Sequence, residues 1–161
     1  MRIEQSIVID RPCAEVFDFI AVRRNDAAWI GTVVESEWLD PGEEVAVGRR
    51  GRMVLKLFGR RRPTIDEVTA YEPGRRLAHR TVEGSLNLDT ACLTAEEGTG
   101  CRTTVVAETD RLPGGPIGRL AAPFIAAGLR RGFKADLVRL KNILEANRTH
   151  AQIVRERNEQ R

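Results

Sequence analysis

Alternation of apolar and polar residues with a period of two dominates the middle of the chain. Helical spacing occurs just after the first strand and again in the last third. Ile3, Gln5, Ile7 and Ile9 alternate with Glu4, Ser6 and Asp10, interrupted by Val8, which predicts a first strand. Asp10-Arg11-Pro12 ends it. Pro12 suits an early helical position and Glu15 the first turn, where the helix dipole favours an acid. Val16, Phe17, Phe19 and Ile20 then form the apolar side of a short helix over 12–21. Arg23-Arg24-Asn25-Asp26 is a polar break, with Asn25 or Asp26 placed to cap a second short helix holding Ala27, Ala28 and Trp29. Strands follow over 33–39, 52–58, 64–71, 76–82, 86–95 and 101–109. Pro41-Gly42, Gly59, Pro73-Gly74, Glu83-Gly84 and Gly98-Thr99-Gly100 mark the turns between them.

The last run, 115–145, is read as one long helix opened by Gly115-Pro116. Phe133, Leu137, Leu140 and Leu144 form one stripe, with Arg139 and Lys141 off it. The preceding half, 121–129, is apolar on all sides and demands cover from protein or ligand. Pro123 inside it predicts a bend or restart and hence a movable lid. Residues 147–161 lose the periodicity and read as a frayed polar extension of a single domain over 1–146. The predicted class is α+β: a curved antiparallel sheet of about six to seven strands around a long C-terminal helix, with two short helices after strand 1.

Composition changes this picture little. Hydrophobic residues make up 42% and charged residues 30%, as in ordinary globular domains. No apolar run approaches the roughly 20 residues of a membrane span, and Met1-Arg2-Ile3-Glu4-Gln5 lacks the apolar core of a signal peptide. A cytoplasmic location is expected. Cys13, Cys92 and Cys101 match no metal spacing and point to reduced structural thiols. The net charge of +3 is carried mainly by arginine clusters at Arg49-Arg50, Arg60-Arg61-Arg62, Arg75-Arg76 and Arg130-Arg131. Such clusters suit a nucleic-acid or anionic-membrane surface. With acids nearly balancing them and no interleaved aromatics, they read first as solvated strand ends and turns, and no nucleic acid is expected.

Candidate chemistry is sparse. Two histidines, with no CxxC or HxxxH pair, argue against a metal site, and no cofactor motif is present. Gly114-Gly115-Pro116-Ile117-Gly118 lacks the Lys-Ser/Thr of a phosphate loop and reads as the start of a helix. Asp66-Glu67, Glu43-Glu44 and Glu96-Glu97 lie in or beside turns and read as solvated. His79, in step with Leu77 and Thr81, is the one catalytic candidate, as a general base or a hydrogen-bond partner for a ligand. Trp29, Met53, Leu55, Leu57, Leu86, Leu88, Leu120 and Phe124 are candidate apolar lining residues, with His79, Thr81 and Thr90 as polar anchors. Aromatics at only 5%, and a half-helix rich in Ala and Gly, leave room for a ligand cavity.

Several stretches together resemble a known superfamily. They are Ile7-Val8-Ile9-Asp10-Arg11-Pro12 leading to Val16-Phe17-Asp18-Phe19-Ile20, Ala28-Trp29, and the run from Glu67 through Tyr71-Glu72-Pro73-Gly74 to Leu77. Gly98-Thr99-Gly100-Cys101-Arg102-Thr103-Thr104 and the closing Leu137-Val138-Arg139-Leu140-Lys141-Asn142-Ile143-Leu144-Glu145 complete the set. Over 1–145 the chain resembles the START-like (SRPBCC) helix-grip superfamily, and within it the bacterial polyketide cyclase/dehydrase-like proteins. The resemblance implies the helix-grip fold and a cavity for a hydrophobic or polycyclic small molecule such as a lipid or polyketide. It leaves three roles open: carrier, aromatase/cyclase or dehydrase, and interaction module using the arginine-rich hairpin, as in coenzyme-Q-binding or ribosome-associated relatives. It also leaves a homodimer open.

Overall fold

The computed structural model describes residues 1–84, 87–109 and 115–159, with side chains for 1–84, 87–109 and 122–146. Strand β1 (Arg2–Ile9) leads into helix α1 (Cys13–Ala21), a 3-10 turn at Arg23–Asn25 and the single-turn helix α2 (Asp26–Trp29). Six strands follow: β2 (Val33–Trp38), β3 (Arg50–Leu57), β4 (Arg60–Glu72), β5 (Arg76–Glu83), β6 (Asp89–Glu97) and β7 (Gly100–Glu108). Helix α3 (Gly115–Glu159) closes the order. The strands form one antiparallel sheet in the order β1-β7-β6-β5-β4-β3-β2, so the first strand lies beside the last and β2 forms the far edge.

This is the α+β helix-grip architecture: one curled sheet folded around its C-terminal helix. Hairpin turns generate the meander, and α1 and α2 carry the chain from one sheet edge to the other. α1 begins after Pro12 and buries Val16, Phe17 and Ile20. Those residues join Ile9, Trp29, Val68, Leu77, Cys101, Val105, Leu137, Leu140 and Leu144 in one core. Phe133 packs against that core, so the expected α3 stripe is the buried one. Asp136 of α3 accepts the Gly31 N–H at 2.9 Å and Arg139 donates to the Trp29 carbonyl at 3.0 Å, which pins the α2–β2 turn to α3.

The longest strand, β4, is irregular. Its pairing with β5 shifts register between Ile65 and Asp66 and again between Val68 and Ala70. Each bulge adds local twist and lets the sheet bend. The second also swings Tyr71 onto the same face as Val68, where its ring stacks on Phe17 at 6.1 Å between centroids. The β3–β4 hairpin turns through two residues, Phe58 and Gly59, with φ of 50° and 74°. That is the I′ pattern, which suits the strand twist and requires positive φ twice. Glycine adopts it freely; phenylalanine does so at a cost of about 1–2 kcal/mol.

Three expectations are corrected. Cys13 and Cys101 are joined in a disulfide with Cα atoms 4.9 Å apart, rather than standing as reduced thiols. Sequence spacing hides this pairing, because the β1–β7 ladder is what places Cys101 opposite Ile9, just before α1. Cys92 is free. Neither Asn25 nor Asp26 caps α2 with its side chain: Asn25 donates to the Phe19 carbonyl and Asp26 accepts from Ser36. Helix α3 does not restart at Pro123, since one missing donor does not interrupt a 45-residue hydrogen-bond ladder. It runs on to Glu159, past the end of apolar periodicity. Among the described residues, no helix is long and apolar enough to cross a membrane.

Candidate functional site

Register decides which side chains meet on the inner face of the sheet. Val68 pairs with His79 and His79 with Thr90, while Asp66 pairs with Thr81 and Gly51. Val68 and Leu77 belong to the core beneath α3, so residues in phase with them face inward. His79, Thr81 and Thr90 therefore share the inner face, as do Met53, Leu55 and Leu57 of β3. All six are only partly covered.

The chemical centre of this face is one that sequence reasoning missed. Asp66, read as solvated beside a turn, is 3% exposed in mid-strand, at the first β4–β5 register shift. It receives a two-pronged ion pair from Arg23, whose Nη1 lies 3.1 Å from Oδ2 and whose Nη2 contacts Oδ1. Arg23 is 4% exposed and its Nε donates to the Glu37 carbonyl at 3.0 Å. Its guanidinium also lies 4.8 Å from the ring centre of Trp38, which Arg49 flanks at 4.5 Å. Space for this stack comes from Gly51, where a Cβ would overlap the Arg23 guanidinium. Two features of the sequence carry this signal: Asp66 is in phase with Val68, and a glycine sits mid-strand at position 51. Neither announces a partner some 40 residues away, so the pair emerges only from the fold.

Asp26 and His79 complete the cluster. Asp26 accepts a 2.7 Å hydrogen bond from Ser36 Oγ. Burial raises its pKa to about 6, even though the Ser36 bond and the Arg23 charge oppose the shift. His79 Nε2 lies 3.8 Å from Asp66 Oδ2, an electrostatic contact too long for a hydrogen bond. Burial lowers the His79 pKa, Asp66 opposes that and Arg23 adds to it, so the imidazole is neutral at pH 7. The half-buried Cys92 thiol is pushed up to about 12 by burial and by the Asp26 charge, which makes it inert as a nucleophile. The arrangement thus offers a fixed cation saturated by Asp66, a carboxyl that changes charge near pH 6 and a neutral imidazole. It can accept or donate a proton and can bind a carbonyl or hydroxyl.

The remaining candidates separate. Trp29 is 3% exposed and sits within the core. Leu88 and Thr81 line an open cleft of about 540 Å³ together with Arg80, Asn87, Asp89 and Glu108. That cleft lies at the strand ends and shares only Thr81 with the inward face; His79 and Asp66 do not line it, and the site is defined by their contacts instead. Phe124 is 79% exposed and so does not line the inner face, contrary to expectation. Leu86 lies outside the described residues, and Leu120 belongs to α3 with its side chain outside them. Among the described residues, no three His, Cys, Asp or Glu side chains gather to hold a metal ion.

Solved structures place the fold. The protein TTHA0849 from Thermus thermophilus superposes with a TM-score of 0.76 at 16% identity, over 91% of this chain and 99% of that one. The di-domain ARO/CYC BexL from the BE-7585A biosynthetic pathway matches with a TM-score of 0.71 at 15% identity, over 90% of this chain and 46% of that one. DynU16, from the dynemicin biosynthetic locus, matches at 0.65 and 20% identity, over 91% and 48%. No curated protein matches the chain. The family described as polyketide cyclase/dehydrase and lipid transport matches residues 1–145, nearly the whole domain, and the chain belongs to it.

Proposed function

We propose that this protein binds a hydrophobic, polyketide-like or lipid-like molecule between the inner face of the sheet and α3. In this reading the cluster around Arg23 and Asp66 holds the ligand's oxygen-bearing end. One observation carries it: Met53, Leu55 and Leu57 face inward yet stay partly uncovered, in line with a buried polar cluster on the neighbouring strands. Apolar walls with a few convergent polar groups are the usual make-up of a small-molecule site. Family membership supports the ligand class, since its description joins polyketide cyclisation with lipid transport.

A second reading, catalysis of cyclisation or dehydration, draws on Asp26 and His79. A neutral imidazole can take an α-proton from a keto chain, and a carboxylic acid that still holds its proton near pH 6 can protonate a departing hydroxyl as water.

Trp38 stacks on the Arg23 guanidinium of the cluster and Trp29 lies in the adjoining core, so intrinsic fluorescence reports occupancy. Native mass spectrometry of protein purified without added ligand should show a co-purified apolar molecule, and its removal should change the tryptophan emission. A ligand-free mass, with emission unaltered by polycyclic aromatic probes, would overturn the binding reading. His79→Ala separates the two roles: in a carrier it changes ligand affinity alone, whereas in an enzyme turnover falls further than affinity does.

A further inference from the structure

The β3–β4 hairpin ends in an unusual tip. Phe58 is fully exposed, at 104% of its reference area, and holds a left-handed backbone that favours glycine or asparagine. Neither packing nor turn geometry accounts for a phenylalanine there. Around it stand Lys56, Arg60, Arg61 and Arg62. Arg61 pairs with Glu35, whereas Lys56, Arg60 and Arg62 form no ion pair among the described residues. An aromatic ring projecting beyond a collar of cations is the amphipathic pattern that enters a bilayer interface, ring into the acyl boundary and guanidiniums at the headgroups. At about 3.3 Å per strand residue, Arg60 and Arg62 begin within about 10 Å of the tip, the depth to which such elements penetrate.

We infer that this hairpin docks the protein on an anionic phospholipid surface. A nucleic-acid strand fits less well, because it asks for several stacking rings along a basic groove and the tip offers one ring at a two-residue turn. Pairing of Leu57 with Arg60 and Leu55 with Arg62 puts both leucines on the same face as those arginines. The apolar lane from Met53 therefore runs to the edge that meets the bilayer, which suits transfer of a hydrophobic ligand. Docking goes beyond the ligand reading and is read out separately from it, since vesicle binding needs no ligand and tryptophan emission needs no vesicle.

The experiment is co-sedimentation of the purified protein with phosphatidylcholine vesicles, with and without phosphatidylserine, at low and high salt. Phosphatidylserine should promote binding and salt should weaken it. Phe58→Asn creates the dipeptide that I′ turns prefer, so the melting temperature should hold or rise while vesicle affinity falls about tenfold. Arg60→Ser and Arg62→Ser should each lower it about fivefold. Equal binding of the native protein to both vesicle types, or undiminished binding by Phe58→Asn, would overturn the inference. So would binding of a single-stranded RNA oligonucleotide without vesicle binding, which would assign the basic tip to nucleic acid.

Discussion

At Asp26 the folded protein retains a proton that the unfolded chain releases, because burial lifts the carboxyl to about 6 while Ser36 holds it in place. A raised folded pKa stabilises the fold at low pH, and that contribution is lost as pH rises from the ordinary carboxylate range through about 6. Above that window the buried carboxylate costs on the order of 2–3 kcal/mol. Asp26→Asn, which still accepts from Ser36, should therefore melt higher than the native protein at pH 8 and about equally at pH 4; a gap that does not vary with pH would show that Asp26 is not titrating. His79 acts in the opposite sense. Its lowered pKa means the folded state refuses a proton that the unfolded chain accepts, so acidification below about pH 6.5 removes stability. Gly51 tests the ion pair itself. Gly51→Ala forces the Arg23 guanidinium off Asp66 and should cost roughly 3 kcal/mol or more, visible in a thermal melt. An unchanged melting temperature would mean that the pair tolerates displacement.

Helix α3 divides by burial. Leu140, at 0% exposure, should lose about 2–5 kcal/mol on substitution by Ala, whereas Phe124→Ser should stay within about half a kcal/mol. Denaturant titration of the two variants checks the contrast, and similar losses would mean that Phe124 is covered in solution. The Leu137-Leu140-Leu144 stripe was legible in the sequence because burial against a sheet imposes helical periodicity on one element. The strands were legible for the same reason, since alternation records which face is covered. What local pattern does not record is a change of phase or a distant partner. The β4 bulge that brings Tyr71 inward leaves no mark in an alternation count. Asp66 looked solvated because its neutralising arginine belongs to another element, 43 residues earlier. His79, Thr81 and Thr90 could be placed on one face from strand phase alone, but the carboxyl and guanidinium that tune them could not.

Across the whole molecule, the Cys13–Cys101 disulfide fastens the start of α1 to β7 over a sequence separation of 88 residues. Opening so long a loop should cost about 2–5 kcal/mol. Melting with and without dithiothreitol measures it, and alkylation of the denatured chain should count one thiol, Cys92, before reduction and three after; three at the outset would remove the bond. The same two segments meet through the sheet, where β1 lies against β7 from Arg2 opposite Glu108 to Ile9 opposite Cys101. β1 is thus made well before the strand it pairs with. At about 5–20 residues per second of synthesis, this isoleucine-rich segment waits several seconds with its edge unpaired. A nascent chain stalled before residue 100 therefore presents an adhesive strand and an unpaired Cys13 thiol together, and holding both apart from other chains becomes the task of whatever chaperone meets it there.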